Sequence, residues 1–310
     1  MSDIRIDRIL RETAHDLAAC VAAAEDAYRN KIETVVRDLL TGGQRVIMLA
    51  GPSSSGKTTT ANILADRLTA AGHSAAVVSL DNFYRDPHDP GYPRNPDGSL
   101  DFETVDALEI GEIHDCIAAV LRGEEYPVPR FDFKRGCRAE ERVPLCVPDD
   151  GYVIVEGLHA LNPRLTDGLS GLYRLFISVS TNITDGAGNR LLSGRKIRFL
   201  RRMSRDFLYR NATAARTYEL WQSVLPGEDK YLYPYRDCAD RQLDTFHLYE
   251  VGVLRGYAER LLFAADAPQN PYVDEIRRGL AAFPIIDSAN VPETSLLREF
   301  IPGGVYESLY

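Results

Sequence analysis

Apolar residues recur at steps of three and four through Leu10, Ala14, Leu17, Val21, Ala24, Tyr28, Ile32, Val35 and Leu39. That spacing lines one face of an amphipathic helix or pair of helices. Thr41-Gly42-Gly43 then stops the helix, and the pattern changes. Val46-Ile47-Met48-Leu49-Ala50 is an unbroken apolar run, as expected of a parallel strand covered on both faces. Similar strands are predicted at Ala75 to Leu80, Tyr152 to Val155 and Tyr173 to Ser180. Helical patterns separate them, the first carrying Ile63, Leu64 and Leu68 between Thr59 and Ala71. Strands alternating with helices predict an α/β fold built on an open, mostly parallel sheet. The expected organisation is a helical lead over residues 1–40, a core over 41–240, and a C-terminal helical extension over 241–310 packed on that core.

The octet Gly51-Pro52-Ser53-Ser54-Ser55-Gly56-Lys57-Thr58 lies between the first core strand and its helix. It reads as a Walker A P-loop: glycines allow a tight turn, backbone N–H groups point inward at phosphate oxygens, and the helix that follows presents its positive end. Gly51, Ser53, Ser54, Ser55, Gly56, Lys57, Thr58 and Thr59 are the expected nucleotide-binding residues. Lys57 meets the β and γ phosphates, and the Thr58 hydroxyl suits Mg²⁺, a hard cation that prefers oxygen.

Two carboxylates stand at strand ends, where ligands of parallel α/β sheets lie. Asp81 follows the second core strand; alone, it would equally suit a helix cap or a turn. Glu156 closes the third, where P-loop enzymes place an acid for the metal shell, although a polar residue at a strand end is ordinary. From Arg195 to Asp206 six cationic residues follow a helical pattern, with Arg198, Arg202 and Arg205 on one face and Leu200, Met203 and Phe207 on another. A lid around 195–225 closing over phosphate, a solvated basic face and an RNA-binding face all fit the run. Trp221 and the tyrosines of 230–235 suit interior packing or a subunit contact.

Composition narrows these readings. A net charge of −9 argues against a general nucleic-acid binder. The five cysteines are odd in number and lack zinc-site spacing, which fits a reduced, cytoplasmic setting. No signal-peptide core opens the sequence and no stretch approaches a membrane span.

Six blocks occur together in one order: the P-loop octet, Leu80-Asp81-Asn82-Phe83-Tyr84, Leu100-Asp101-Phe102-Glu103 with Asp106-Ala107, Pro129-Arg130-Phe131-Asp132-Phe133, Val155-Glu156-Gly157-Leu158-His159 and Arg201-Arg202-Met203-Ser204-Arg205-Asp206. In this the chain resembles the uridine kinases and their phosphoribulokinase relatives over residues 44–240. Its cast is most similar to the uridine-kinase-like proteins that in some bacteria carry a TGS-type module, which this sequence does not contain. The resemblance implies a P-loop NTPase-type three-layer sandwich with a helical lid, ATP and Mg²⁺ as cofactors, and a small-molecule acceptor, first of all a nucleoside.

Carried over by position, the resemblance makes Asp81 the base for a nucleoside 5′-hydroxyl and a neighbour of the metal held by Thr58 and Glu156. Lys57 and Arg205 would join Asp81 in catalysis. Tyr84, Glu103, Phe131, Arg202 and Arg210 would bind substrate, Glu103 through the ribose hydroxyls. The chain also departs from the family. Phe131 and Gly136 stand where uridine-cytidine kinases read the pyrimidine with Tyr and His, and Ala212 replaces a further lid arginine. A site without polar base contacts discriminates less. Another base, a modified nucleoside, or a sugar or pantothenate-like alcohol therefore stays open as acceptor, beside a nucleotide-dependent, RNA-associated binding module without turnover. The amphipathic lead permits a homodimer without requiring one.

Overall fold

The computed structural model describes residues 2–132, 135–148 and 150–309. Phe133, the last residue of the Pro129 block, lies outside the described residues. In chain order the elements are β1 (Asp3–Arg5), α1 (Ile6–His15), α2 (Leu17–Gly42), β2 (Val46–Ala50), α3 (Lys57–Ala70), β3 (Ala75–Ser79), α4 (Ile110–Leu121), β4 (Tyr126–Asp132), β5 (Cys137–Leu145), β6 (Tyr152–Glu156), α5 (Pro163–Thr166), β7 (Leu172–Ser178), β8 (Asn182–Thr184), β9 (Arg190–Leu192), α6 (Gly194–Arg210), α7 (Ala214–Tyr231), β10 (Arg241–Asp244), α8 (Glu250–Leu262) and α9 (Pro271–Leu280).

The central sheet has five strands in the order β10-β7-β2-β6-β3, every pairing parallel. β2 and β6 are buried along their whole length. Strand side chains alternate between faces, so Ile47 and Leu49 enter a core with α2, α3, α6 and α8, while Val46, Met48 and Ala50 enter the opposite core with α4. This is the three-layer α/β sandwich of P-loop proteins, and its strand order brings β2 and β6 side by side, so that the loops leaving their carboxyl ends meet.

The sheet corrects the boundary expected at residue 240. β10 belongs to the core sheet, paired with β7, and the helical extension begins only after it. The lead also holds more than helix: β1 pairs with β8 in a second small sheet. α2 buries Val21, Tyr28, Ile32, Val35 and Leu39 in the main core, where the Tyr28 and Thr60 hydroxyls share a hydrogen bond of 2.7 Å. Its apolar face is thereby occupied within the chain, and Gly43 ends it in a left-handed conformation at φ 73°. Among the described residues no helix is long and apolar enough to cross a membrane.

Candidate active site

The loop between β2 and α3 makes its tightest turn at Ser54, a non-glycine residue at φ 57°. Gly56 sits at φ 93°, and a Cβ there would lie 2.6 Å from Leu296. Only glycine satisfies both demands. Gly56 is the N-cap of α3 and gives it no side-chain bond, leaving the first amides of that helix pointing into the loop. The hydroxyls of Ser54 and Ser55 are buried without a hydrogen-bond partner. Orphaned donors at a helix N-terminus suit a phosphate group, so the residues present fit a nucleotide. Lys57 directs its ammonium back to the Pro52 carbonyl, 3.3 Å away.

Register places the carboxylates. Glu156 is opposite Leu49 on β2 and Ser79 on β3, which sets it beside the loop with its Oε1 3.5 Å from the Thr58 hydroxyl. Burial raises its carboxyl above the usual range, Asp81 adds to the rise, and Lys57 opposes it. Thr58, Glu156 and Asp81 offer a hydroxyl and two carboxylates, a donor set that suits Mg²⁺. Asp81 lies exposed on a short 3-10 helix over Leu80–Phe83, near enough to Glu156, Glu103 and Arg210 to shift their titration.

Beyond Asp81, the rings of Tyr84 and Phe131 are 5.7 Å apart, and Asn82 Oδ1 accepts the Phe131 amide at 3.3 Å. The Tyr84 hydroxyl donates to the Phe102 carbonyl, which leads directly to Glu103. A cavity of about 520 Å³ opens beside Glu103, with Asp101, Arg202, Lys230 and Tyr231 in its wall. Burial pushes the Glu103 carboxyl up to about 7; Arg202 opposes this, while Glu228, Asp81 and Asp101 reinforce it. Because the folded value exceeds the unfolded one, the stability contributed by neutral Glu103 is complete below pH ~4.5 and disappears as pH rises through about 7. Between pH 5 and 8 the melting temperature of wild type should therefore fall relative to that of Glu103→Gln. A constant difference across that range would show that Glu103 titrates normally.

Most of the arginine run faces inward rather than to solvent. Arg198 and Arg201 are fully buried and Arg202 and Arg205 are 8% exposed; it is Phe207, expected on the apolar face, that is 52% exposed. Arg202 and Arg205 bind Asp206 at 3.2 and 2.8 Å, and Arg210 approaches the same carboxylate at 3.7 Å. Burial alone would raise Asp206, but the three guanidiniums hold it below its usual range. The neighbouring positive charge of Arg205 brings Arg210 down to about 10. Arg202 also donates to the Ser53 hydroxyl at 2.8 Å, bridging the cluster to the P-loop. Arg198 takes no part in the Asp206 cluster: it forms a bidentate pair with Glu228 at 2.8 Å, stacked on the buried Trp221 ring.

Thr59 departs from expectation. Its hydroxyl donates to Glu299 at 2.9 Å and its amide to the same oxygen at 3.3 Å. Leu296, on the same 3-10 turn as Glu299, covers Gly56. Sequence reasoning also passed over Glu228, Glu250 and the role of Asp206. Of these only Asp206 left a signal, since it stands within the arginine block at helical distance from Arg202 and Arg210.

Residues 46–249, well over half of the chain, match the family described as phosphoribulokinase / uridine kinase. A uridine kinase from Halobacterium salinarum is 28% identical over 195 residues, 63% of this chain and 77% of its own. One from Leuconostoc citreum is 29% identical over 196 residues, 63% of this chain and 84% of its own. A solved structure from Silicibacter sp. TM1040, provisionally named a fructose transport system kinase, superposes with a TM-score of 0.46 at 21% identity, covering 68% of this chain and 98% of that one. With a P-loop, strand-end carboxylates and an arginine cluster gathered at one edge of a parallel sheet, the chain belongs to the phosphoribulokinase/uridine kinase family, P-loop kinases that phosphorylate small-molecule alcohols.

Proposed function

We propose that this kinase moves the γ-phosphate of ATP to the 5′-hydroxyl of a nucleoside. The observation that supports the reading is the nearness of Asp81 to both Glu103 and Tyr84, with the Phe131 ring tilted against that of Tyr84 at 5.7 Å: groups suited to a base, a ribose anchor and an aromatic wall. In-line phosphoryl transfer asks the protein for alignment and charge. Asp81 accepts the proton of the attacking hydroxyl, and Glu103 fixes the sugar by accepting from its hydroxyls. Phe131 stacks on the base without reading its edge. Lys57 and Arg205 offset the negative charge of the transferring group, with Arg202 and Arg210 holding the phosphate side. When bound, Mg²⁺ supplies the remaining neutralisation, held by Thr58, Glu156 and Asp81.

The cavity beside Glu103 supports a second reading, a sugar or other polyol that carries its own anionic group, because Arg202 and Lys230 share its wall with two carboxylates. The burial of Arg198, Arg201, Arg202 and Arg205 weakens one of the two grounds for an RNA-associated module, the other being the altered base pocket at Phe131 and Gly136. ADP release under Mg²⁺·ATP, measured against nucleosides, modified nucleosides, pantothenate and sugar phosphates, separates these readings. Stimulation by a nucleoside is expected. Stimulation by a sugar or pantothenate alone would overturn the nucleoside assignment while leaving the kinase intact.

A further inference from the structure

The outer surface of the P-loop is gripped as closely as its inner surface is left open. Ser53 has all three of its polar atoms held by side chains from α6 and α7: its amide donates to Glu228 Oε1 at 2.8 Å, its carbonyl accepts from Arg198 at 2.8 Å, and its hydroxyl accepts from Arg202 at 2.8 Å. Beyond it, Arg201 reaches the Ser54 and Ser55 carbonyls at 3.5 and 3.4 Å, and Thr245 donates to the Ser55 carbonyl at 2.8 Å. Arg201 is in turn neutralised by buried Glu250. The strained turn at Ser54 is thus enclosed by a clamp whose charges are supplied in buried pairs.

We infer that Glu228 is a positioning residue for nucleotide binding, which it serves through Ser53 without touching the nucleotide. The inference rests on the P-loop being the ATP site. Both Glu228 oxygens are engaged, Oε1 by Ser53 and Arg198, Oε2 by Arg198, and neither partner of the pair is exposed. A buried pair of this kind contributes little stability beyond apolar side chains of equal volume. What apolar side chains cannot do is draw the Ser53 amide outward. With that amide turned to Glu228, and the Ser53 carbonyl fixed by the same Arg198, the peptide plane entering Ser54 has one orientation. The Ser55 amide is engaged by the Pro52 carbonyl at 3.2 Å; the other amides of the turn and of the start of α3 then face the phosphate before any ligand arrives, the preorganisation that saves ordering cost on binding. The adjacent Gly227 carries the same turn of α7 to the acceptor side, since a Cβ there would stand 2.7 Å from the Glu103 Cβ.

The test removes the outward pull while keeping the volume. In R198M/E228M both charges go together, so the fold should melt within a few degrees of wild type, whereas the Kd for Mg²⁺·ATP, measured by calorimetry without acceptor, should rise tenfold or more. E228Q has one oxygen to divide between Ser53 and Arg198, and about a fivefold rise in that Kd is expected, larger than any change in the KM for acceptor. Wild-type Kd in either folded variant overturns the inference and leaves the nucleotide site standing. Failure of wild-type protein to bind ATP overturns the nucleotide reading itself, and Glu228's role with it.

Discussion

Asp81→Asn is expected to lower turnover by about 10²- to 10⁴-fold, the usual worth of a general base, while the affinity for Mg²⁺·ATP changes by no more than a few-fold. In barrier height this is about 2.7–5.4 kcal/mol. Asparagine keeps the size and one acceptor oxygen of the residue but cannot take up a proton. Asp81 is exposed on its 3-10 helix, so the exchange disturbs no core packing. It would also relieve Glu156 and Glu103, whose carboxyls Asp81 helps to raise. Single-turnover phosphate transfer, followed beside direct nucleotide binding, distinguishes the outcomes. Turnover near wild type would remove Asp81 from the role of base, and loss of nucleotide binding would make it chiefly a metal neighbour.

The second large effect is one of stability. Asp206→Asn leaves Arg202, Arg205 and Arg210 facing one another without their shared carboxylate. Removing one partner of a buried ion pair costs about 3–5 kcal/mol, and the lower end applies here because Arg210 is 56% exposed. Denaturant titration should register about 3 kcal/mol lost. Added phosphate or sulfate should restore more stability to the variant than to wild type, because a bound anion can replace the missing charge. Equal stabilisation of both proteins would mean that the arginines are already separated by solvent.

The parts of this molecule legible in the sequence are those written in consecutive residues. Val46 to Ala50 is apolar at every position because both faces are covered, and the octet after it needs its spacing to turn a strand into a helix around phosphate. Asp81 and Glu156 could be placed because strand ends of a parallel sheet share one edge. The arginine run showed its charges but not their partners. Glu228 and Glu250 lie 30 and 49 residues from the arginines they neutralise, and no periodicity records which distant carboxylate a buried guanidinium will meet. β1, β8 and β9, at three residues each, are too short to alternate visibly. β10 begins Arg241-Gln242 on the sheet's edge, where polar residues are tolerated, and so did not read as a strand.

Glu299 caps the start of α3 from 240 residues further along the chain. At about 5–20 residues added per second during synthesis, roughly 10 to 50 seconds separate the two partners as they leave the ribosome. Throughout that interval β2, its loop and α3 can form, but Thr59 lacks its carboxylate and Gly56 its cover from Leu296. Only once residues 296–299 have emerged is this first turn of α3 capped and covered from outside, while the side of the loop that faces phosphate stays open.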